Sequence, residues 1–240
     1  MSRRVLVTGA GSGIGRAIAR SFADAGDRVV ITGRKAAPLE QTDGGRGMTC
    51  RLADVTDEAQ VNALFEAPFD VVVANAGGGG AGRLRSVTLE DWNKVLAVNL
   101  TGTFLTFRAA LGQMQSGGRL IAMGSTASLK GGATIPAYAA AKHGVLGLVR
   151  SVALDVAKRG ITCNAVCPGF VDTALAAQAV ASVQARFGLD HDAAVAKLVE
   201  GNPVGRLITP EDVAAAVMYL ASPSASMING HALSLSGGET

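Results

Sequence analysis

The chain alternates short, mostly apolar runs with longer stretches in which apolar residues recur every three or four positions. The first run, Val5 to Val7, passes through glycines into a stretch that places Ile14, Ile18 and Phe22 on one helical side. Further apolar runs follow at 28–32, 48–52, 70–74, 119–124, 161–167 and 232–235. Runs this short and this rich in apolar residues suit strands covered on both faces, because a half-exposed strand shows polar residues at alternate positions. Strands alternating with helices predict an α/β fold, a doubly wound parallel sheet of about seven strands with helices on both faces. Two helix starts are also expected: "TDEAQVNALF" with Thr56 as N-cap, and "TLEDWNKVLAVNL" with Thr88 in that role, each with acids in its first turn.

Composition narrows the setting. With 240 residues, 48% hydrophobic and 17% charged, and no low-complexity linker, residues 1–240 are expected to form one domain with a sizeable core. A net charge of +3, scattered along the chain, argues against a nucleic-acid partner. Residues 213–238 carry no charged side chain, yet Pro223, Asn229 and several glycines interrupt them, so no membrane span is expected. Cys50, Cys163 and Cys167 cannot all pair and complete no metal spacing, so they are expected as reduced core residues of a cytoplasmic protein.

Sheets of this kind bind ligands beyond the carboxyl ends of their strands. At the first such end, Gly9, Ser12, Gly13, Ile14 and Gly15 form a glycine-rich turn into a helix, suited to a dinucleotide pyrophosphate in a Rossmann-like fold. The second strand ends in Gly33 and Arg34, where a carboxylate would accept from a ribose hydroxyl. An arginine there favours NADP(H) over NAD(H), the alternative being that Arg34 or Lys35 is simply solvated at the next helix start. Asp54, with Val55 after it, is placed either to accept from the adenine amino group or to cap a helix. Asn75, Ala76 and Gly77 offer small residues to a flat ring, Ser125 lies just past the fifth strand, and Asn99 interrupts an apolar helix. That asparagine either bonds backbone only or holds a water beside Lys142. In "PAYAAAKHG", residues 136–144, Tyr138 and Lys142 lie one turn apart on a helical face, so an ammonium would lower the phenol pKa.

"TGAGSGIG", "NAG", "VNLTGTF", a serine thirteen residues before "YAAAK", and "NAVCPGFVDT", in this order, resemble the classical short-chain dehydrogenase/reductase family along nearly the whole chain. The resemblance implies an NAD(P)(H)-dependent enzyme interconverting a ketone and a secondary alcohol. It assigns Tyr138 as general acid or base, Ser125 to the substrate oxygen, Lys142 to the tyrosine pKa and the nicotinamide ribose, and Asn99 to a proton-relay water. It further places Pro168, Gly169, Val171 and Thr173 around the nicotinamide, and it implies a homotetramer. The small alanines would let cofactor and substrate approach the Tyr138 helix. No metal is needed, and His143, His191 and His231 have no clustered ligands. Within the family, 3-oxoacyl-thioester reductases, polyketide ketoreductases and 3-hydroxybutyrate dehydrogenases are similar. An NADPH-preferring reductase of a small-molecule ketone or 3-oxoacyl thioester is favoured, with an NAD-dependent secondary alcohol or hydroxyacyl dehydrogenase as the alternative. A non-catalytic dinucleotide-binding protein would not need Tyr138 and Lys142.

Residues 174–205 read as two short amphipathic helices broken at Gly188, an apolar lid over the substrate. Arg83 and Arg85 suit either a phosphopantetheine phosphate or a solvated loop. The helix carrying Tyr138 shows Leu146, Val149, Val152, Ala153 and Val156 on more than one face, which predicts a subunit interface.

Overall fold

The computed structural model describes residues 2–240. β1 (Arg4–Thr8) sends Val5 and Val7 into one hydrophobic layer and Leu6 into the other, all fully buried. β4 (Val71–Ala74) and β5 (Arg119–Met123) divide their side chains in the same way, which is why these runs are apolar throughout. With β2 (Arg28–Gly33), β3 (Thr49–Leu52), β6 (Thr162–Pro168) and β7 (Ala232–Leu235), they form a seven-stranded parallel sheet in the order β3-β2-β1-β4-β5-β6-β7. Strand order reverses between β1 and β4, so a crevice opens at their carboxyl ends.

One layer packs α1 (Gly13–Asp24), α2 (Ala36–Asp43) and α9 (Pro210–Leu220) on the sheet through Ile18, Phe22, Leu39, Val213 and Val217. The opposite layer holds α3 (Glu58–Asn62), α4 (Leu89–Leu96), α5 (Gly102–Leu111) and α6 (Pro136–Val156), with Val61, Leu105, Phe107, Val145 and Val149 inward. Between β6 and α9 lie α7 (Ala174–Phe187) and α8 (His191–Leu198), separated at Gly188 with φ +66°, as the break in periodicity predicted. No helix among the described residues is long and apolar enough to cross a membrane.

Thr88 caps α4 as expected, its hydroxyl accepting from Asp91 N–H at 3.0 Å. Thr56 does not cap α3. Its N–H and hydroxyl both donate to Asp54 Oδ1, at 2.9 and 2.7 Å, and Asp57 caps a helix of only five residues instead. Between α4 and α5 the helix widens into a π turn at Ala97–Thr101, which the apolar periodicity did not disclose. There Thr103 and Thr106 hydroxyls donate to the carbonyls of Asn99 and Gly102, at 2.8 and 2.7 Å.

The second apolar face predicted for α6 is smaller than expected. Leu146, Val149, Ala153 and Val156 are buried in the chain's own core, and Leu154, 84% exposed, is the large apolar residue left outside. Cys163 and Cys167 are buried, but Cys50 is exposed because it sits on β3 at the sheet edge.

Candidate active site

Glycine geometry shapes the crevice. Gly9 takes φ +64°, a left-handed value, and a Cβ there would fall 2.7 Å from Ala76 Cα. A Cβ on Gly15 would meet Gly9 O and Asn75 Nδ2, so α1 can start only this close to β4 without a side chain. Asn75 braces this approach, donating from Nδ2 to Thr8 O at 2.9 Å and Gly9 O at 3.1 Å. The Thr8 hydroxyl accepts from both Asn75 and Ala76 N–H at 3.0 Å. Thr8 was missed in the sequence, where its only signal is a hydroxyl closing an apolar strand.

At the start of α1, Ser12 is the N-cap but makes no side-chain capping bond, and no acid occupies the first turn. The N–H groups of that turn therefore point into the crevice unclaimed by side chains, as an anion site requires. The loop after β6 reaches over it: a Cβ on Gly13 would lie 3.0 Å from Thr173 Cγ2. Pro168 ends β6, Gly169 N–H donates to Leu235 O at 3.1 Å, and Val171 is buried in a bridge to Ile208. Arg34 is exposed beside Asp54, whose carboxyl lies below its usual range, chiefly through the Thr56 hydrogen bonds and then through Arg34. Asp54 thus serves the turn before α3 with one oxygen. Val55, expected at the cofactor, directs its side chain into the core against α5, 2.7 Å from where a Gly102 Cβ would be.

Ser125 follows β5 in extended conformation and caps a short helical turn at Thr126–Ser128. Its Oγ accepts from Ala127 N–H at 3.1 Å, while the buried Ser128 Oγ accepts from Ser125 N–H at 3.2 Å. The bond from Ala127 uses Ser125 Oγ as an acceptor only. Ser128 was also missed, although a serine three positions after Ser125 is the spacing of such a box.

Tyr138 and Lys142 rise side by side from α6, with Lys142 Nζ 5.5 Å from the Tyr138 ring centroid. The ammonium is buried and donates to Met123 O at 2.7 Å. Burial lowers its pKa from the ordinary 10.5 to about 8. Burial also pushes the Tyr138 phenol above its ordinary value, with a hydrogen bond to the Ser125 hydroxyl acting the other way. Lys142 is held by the Met123 carbonyl on the β5 side of the Tyr138 ring and is desolvated there.

Two of the alanines around Tyr138 also pack within the fold. Ala137 and Ala141 are buried against Val95, Trp92 and Leu96, where they let α6 approach α4. Asn99 spends its side chain on backbone: Nδ2 donates to Gly78 O and Val95 O at 2.9 Å each, and Oδ1 accepts from Gly78 N–H at 3.3 Å. It thereby fixes Gly77, whose Cα side faces both Asn99 Oδ1 and Lys142 Nζ. His143 Nδ1 contacts Ala139 O, away from the Lys142 ammonium, and among the described residues no three His, Cys, Asp or Glu side chains gather as a metal site.

Residues 9–240 match the family described as Enoyl-(Acyl carrier protein) reductase. A D-beta-hydroxybutyrate dehydrogenase of Rhizobium meliloti (strain 1021) is 35% identical over 257 residues, covering 100% of this chain and 99% of that protein. The chain belongs to the short-chain dehydrogenase/reductase family. Within that family it is similar to a 3-oxoacyl-(acyl-carrier-protein) reductase of Vibrio cholerae, with 37% identity across 97% of this chain and 95% of the other. Among solved structures, a variant of the actinorhodin polyketide ketoreductase with NADPH superposes with a TM-score of 0.92, at 34% identity over 99% of this chain and 97% of that one. This short-chain dehydrogenase/reductase is accordingly an NAD(P)-dependent oxidoreductase acting on hydroxyl and carbonyl groups.

Proposed function

We propose that the enzyme reduces a ketone or 3-oxoacyl thioester to a secondary alcohol with NADPH, Tyr138 giving the proton. The observation that carries this is the convergence of Ser125, at the end of β5, with Tyr138 and Lys142 on α6, the Lys142 ammonium lying 5.5 Å from the Tyr138 ring centroid. When bound, the dinucleotide supplies a hydride. The residues present fit it: the glycine turn from Gly9 to Gly15, with Ser12 and Ile14, has the close backbone and unclaimed N–H groups that a pyrophosphate needs. Arg34, exposed and without a hydrogen-bond or ion-pair partner among the described residues, is assigned to a ribose 2′-phosphate. Asp54 and the Val55 backbone are assigned to adenine. Asn75, Ala76, Gly77, Pro168, Gly169, Val171 and Thr173 are assigned to the walls of the nicotinamide site.

Tyr138, its phenol pushed further above an already high ordinary value, is protonated near neutral pH, the form a proton donor to a carbonyl oxygen must have. Ser125 is assigned to donate its O–H to that oxygen as charge develops. Lys142 offsets the phenolate left behind and holds the nicotinamide ribose. Asn99 keeps the Gly77–Gly78 turn at the correct distance from Lys142. The pair α7–α8, with exposed Leu175 against Gly79, is assigned as an apolar lid, and exposed Arg83 and Arg85 flank the approach to it. A homotetramer is proposed, with Phe104 and Leu154 among the apolar residues covered in it. The similarity to a D-beta-hydroxybutyrate dehydrogenase favours, as a second reading, an NAD-dependent dehydrogenase of hydroxyacyl or secondary alcohol substrates.

Parallel steady-state oxidation of NADPH and NADH, with acetoacetyl-coenzyme A and with a bulky apolar ketone, separates the two. Faster NADPH turnover, with Arg34→Ala abolishing the cofactor preference, supports the reductase; NADH preference in the parent enzyme supports the dehydrogenase.

A further inference from the structure

Lys130, five residues after Ser125, places its Nζ 2.7 Å from Glu239 Oε1. The partners belong to distant segments, the β5–α6 connection and the stretch after β7. Glu239 is the more enclosed, its side chain 13% exposed against 47% for Lys130. Two glycines account for that enclosure. A Cβ on Gly169 would lie 3.1 Å from Glu239 Oε2, and one on Gly201 would lie 3.7 Å from Glu239 Cγ. Gly169 belongs to the loop after β6, and Gly201 to the turn that follows α8. One carboxylate therefore sits among three segments that surround the cleft.

The local backbone is built to hold it there. Gly237 and Gly238 take φ +63° and +96° as they pass Asn202 and Pro203, conformations that a side chain would strain. Asn202 in turn organises the segment after α8, donating to Arg206 O and accepting from Val204 N–H, each at 2.9 Å. Ser236, just before the glycines, is buried and accepts from Thr240 N–H at 3.2 Å.

We infer that Glu239 is a positioning residue that clamps the Ser125–Lys130 connection to the Gly169 loop and to the base of α7–α8, and so sets the width of the substrate cleft. Its effect on turnover rests on the reductase function proposed above, whereas the clamp itself does not. Lys130 is half-exposed, so the coupling is severalfold and not of catalytic size.

The test uses the full chain with Glu239→Gln, Lys130→Met, the double variant and Lys130→Arg. Each of the first two is expected to raise KM for the ketone roughly three- to tenfold, while kcat and KM for NADPH change less than about twofold. The double variant should be no worse than either single one, and Lys130→Arg should restore the parent KM. Hydrogen exchange is read alongside, and amides in 126–135 and 199–206 should both exchange severalfold faster in Glu239→Gln. An unchanged ketone KM in an enzyme that does turn over, or faster exchange confined to the residues around 239, overturns the clamp. Absence of ketone turnover in the parent enzyme sinks the reductase function, and the exchange of the two remote segments then decides the clamp alone.

Discussion

Lys142 is an ammonium buried beneath the cleft, 4% exposed. In the folded chain it releases its proton near pH 8, and in the unfolded chain near 10.5, so between these values the unfolded state binds more protons. Stability contributed by this site therefore rises with pH across that window, and below about 8 the full penalty of a buried ammonium is present. The difference corresponds to roughly 3 kcal/mol. Removing the donor from the Met123 carbonyl costs about 1 kcal/mol of that. Lys142→Met is thus expected to abolish activity yet raise the unfolding free energy at pH 7 by about 2 kcal/mol, the gain turning into a loss of roughly 0.5 kcal/mol at pH 10.5. Urea unfolding at both pH values checks this; an equal gain at both contradicts it. The spacing of Tyr138 and Lys142 was legible in the sequence because a helix fixes it. The partner of Lys142 was not, since Met123 O comes from a strand nineteen residues away and is met only through the packing of α6 on the sheet.

At the scale of elements, two short devices position the chemistry. The turn at Thr126–Ser128 holds Ser125 by its own N–H and Oγ at once. Ser128→Ala leaves the Ser125 N–H without that acceptor, which is expected to cost about 1–2 kcal/mol of stability and to lower kcat severalfold, with cofactor KM unchanged. Thermal unfolding and steady-state kinetics measure both; an unaltered kcat would show that the turn keeps Ser125 in place without Ser128. The glycine turn is the other device. Gly15→Ala puts a methyl group on Gly9 O and Asn75 Nδ2, with an expected loss of about 1–3 kcal/mol and of dinucleotide affinity, read by cofactor fluorescence titration. Glycines and the start of α1 were readable from the strand–turn–helix order. The cap of α3 was misplaced because Thr56 and Asp57 are both good caps, and only the Asp54 carboxylate, claiming Thr56, decides between them. The π turn at Asn99 leaves apolar periodicity almost intact, so nothing in the pattern marks it.

For the whole molecule, the doubly wound sheet was the most legible feature, because strands buried on both faces have no polar alternation to confuse them with a half-exposed sheet. Association was less so. Apolar residues on two sides of α6 pointed to an interface, but most of them fill the core between α4, α5 and the sheet. Leu154, 84% exposed, is where the proposed assembly is best probed. Leu154→Arg is expected to shift the enzyme to smaller species in light scattering, and an unchanged mass would remove this face from the interface.

The central claim is that Tyr138 delivers the proton while the rest of the crevice holds the dinucleotide. Its most direct test is kcat for NADPH-dependent ketone reduction by Tyr138→Phe, with NADPH affinity measured in the same preparation. The expected result is a fall of roughly 10²–10⁴-fold in kcat at nearly unchanged NADPH affinity and thermal stability. Retention of kcat within a few fold would contradict the account and move the proton donor away from α6.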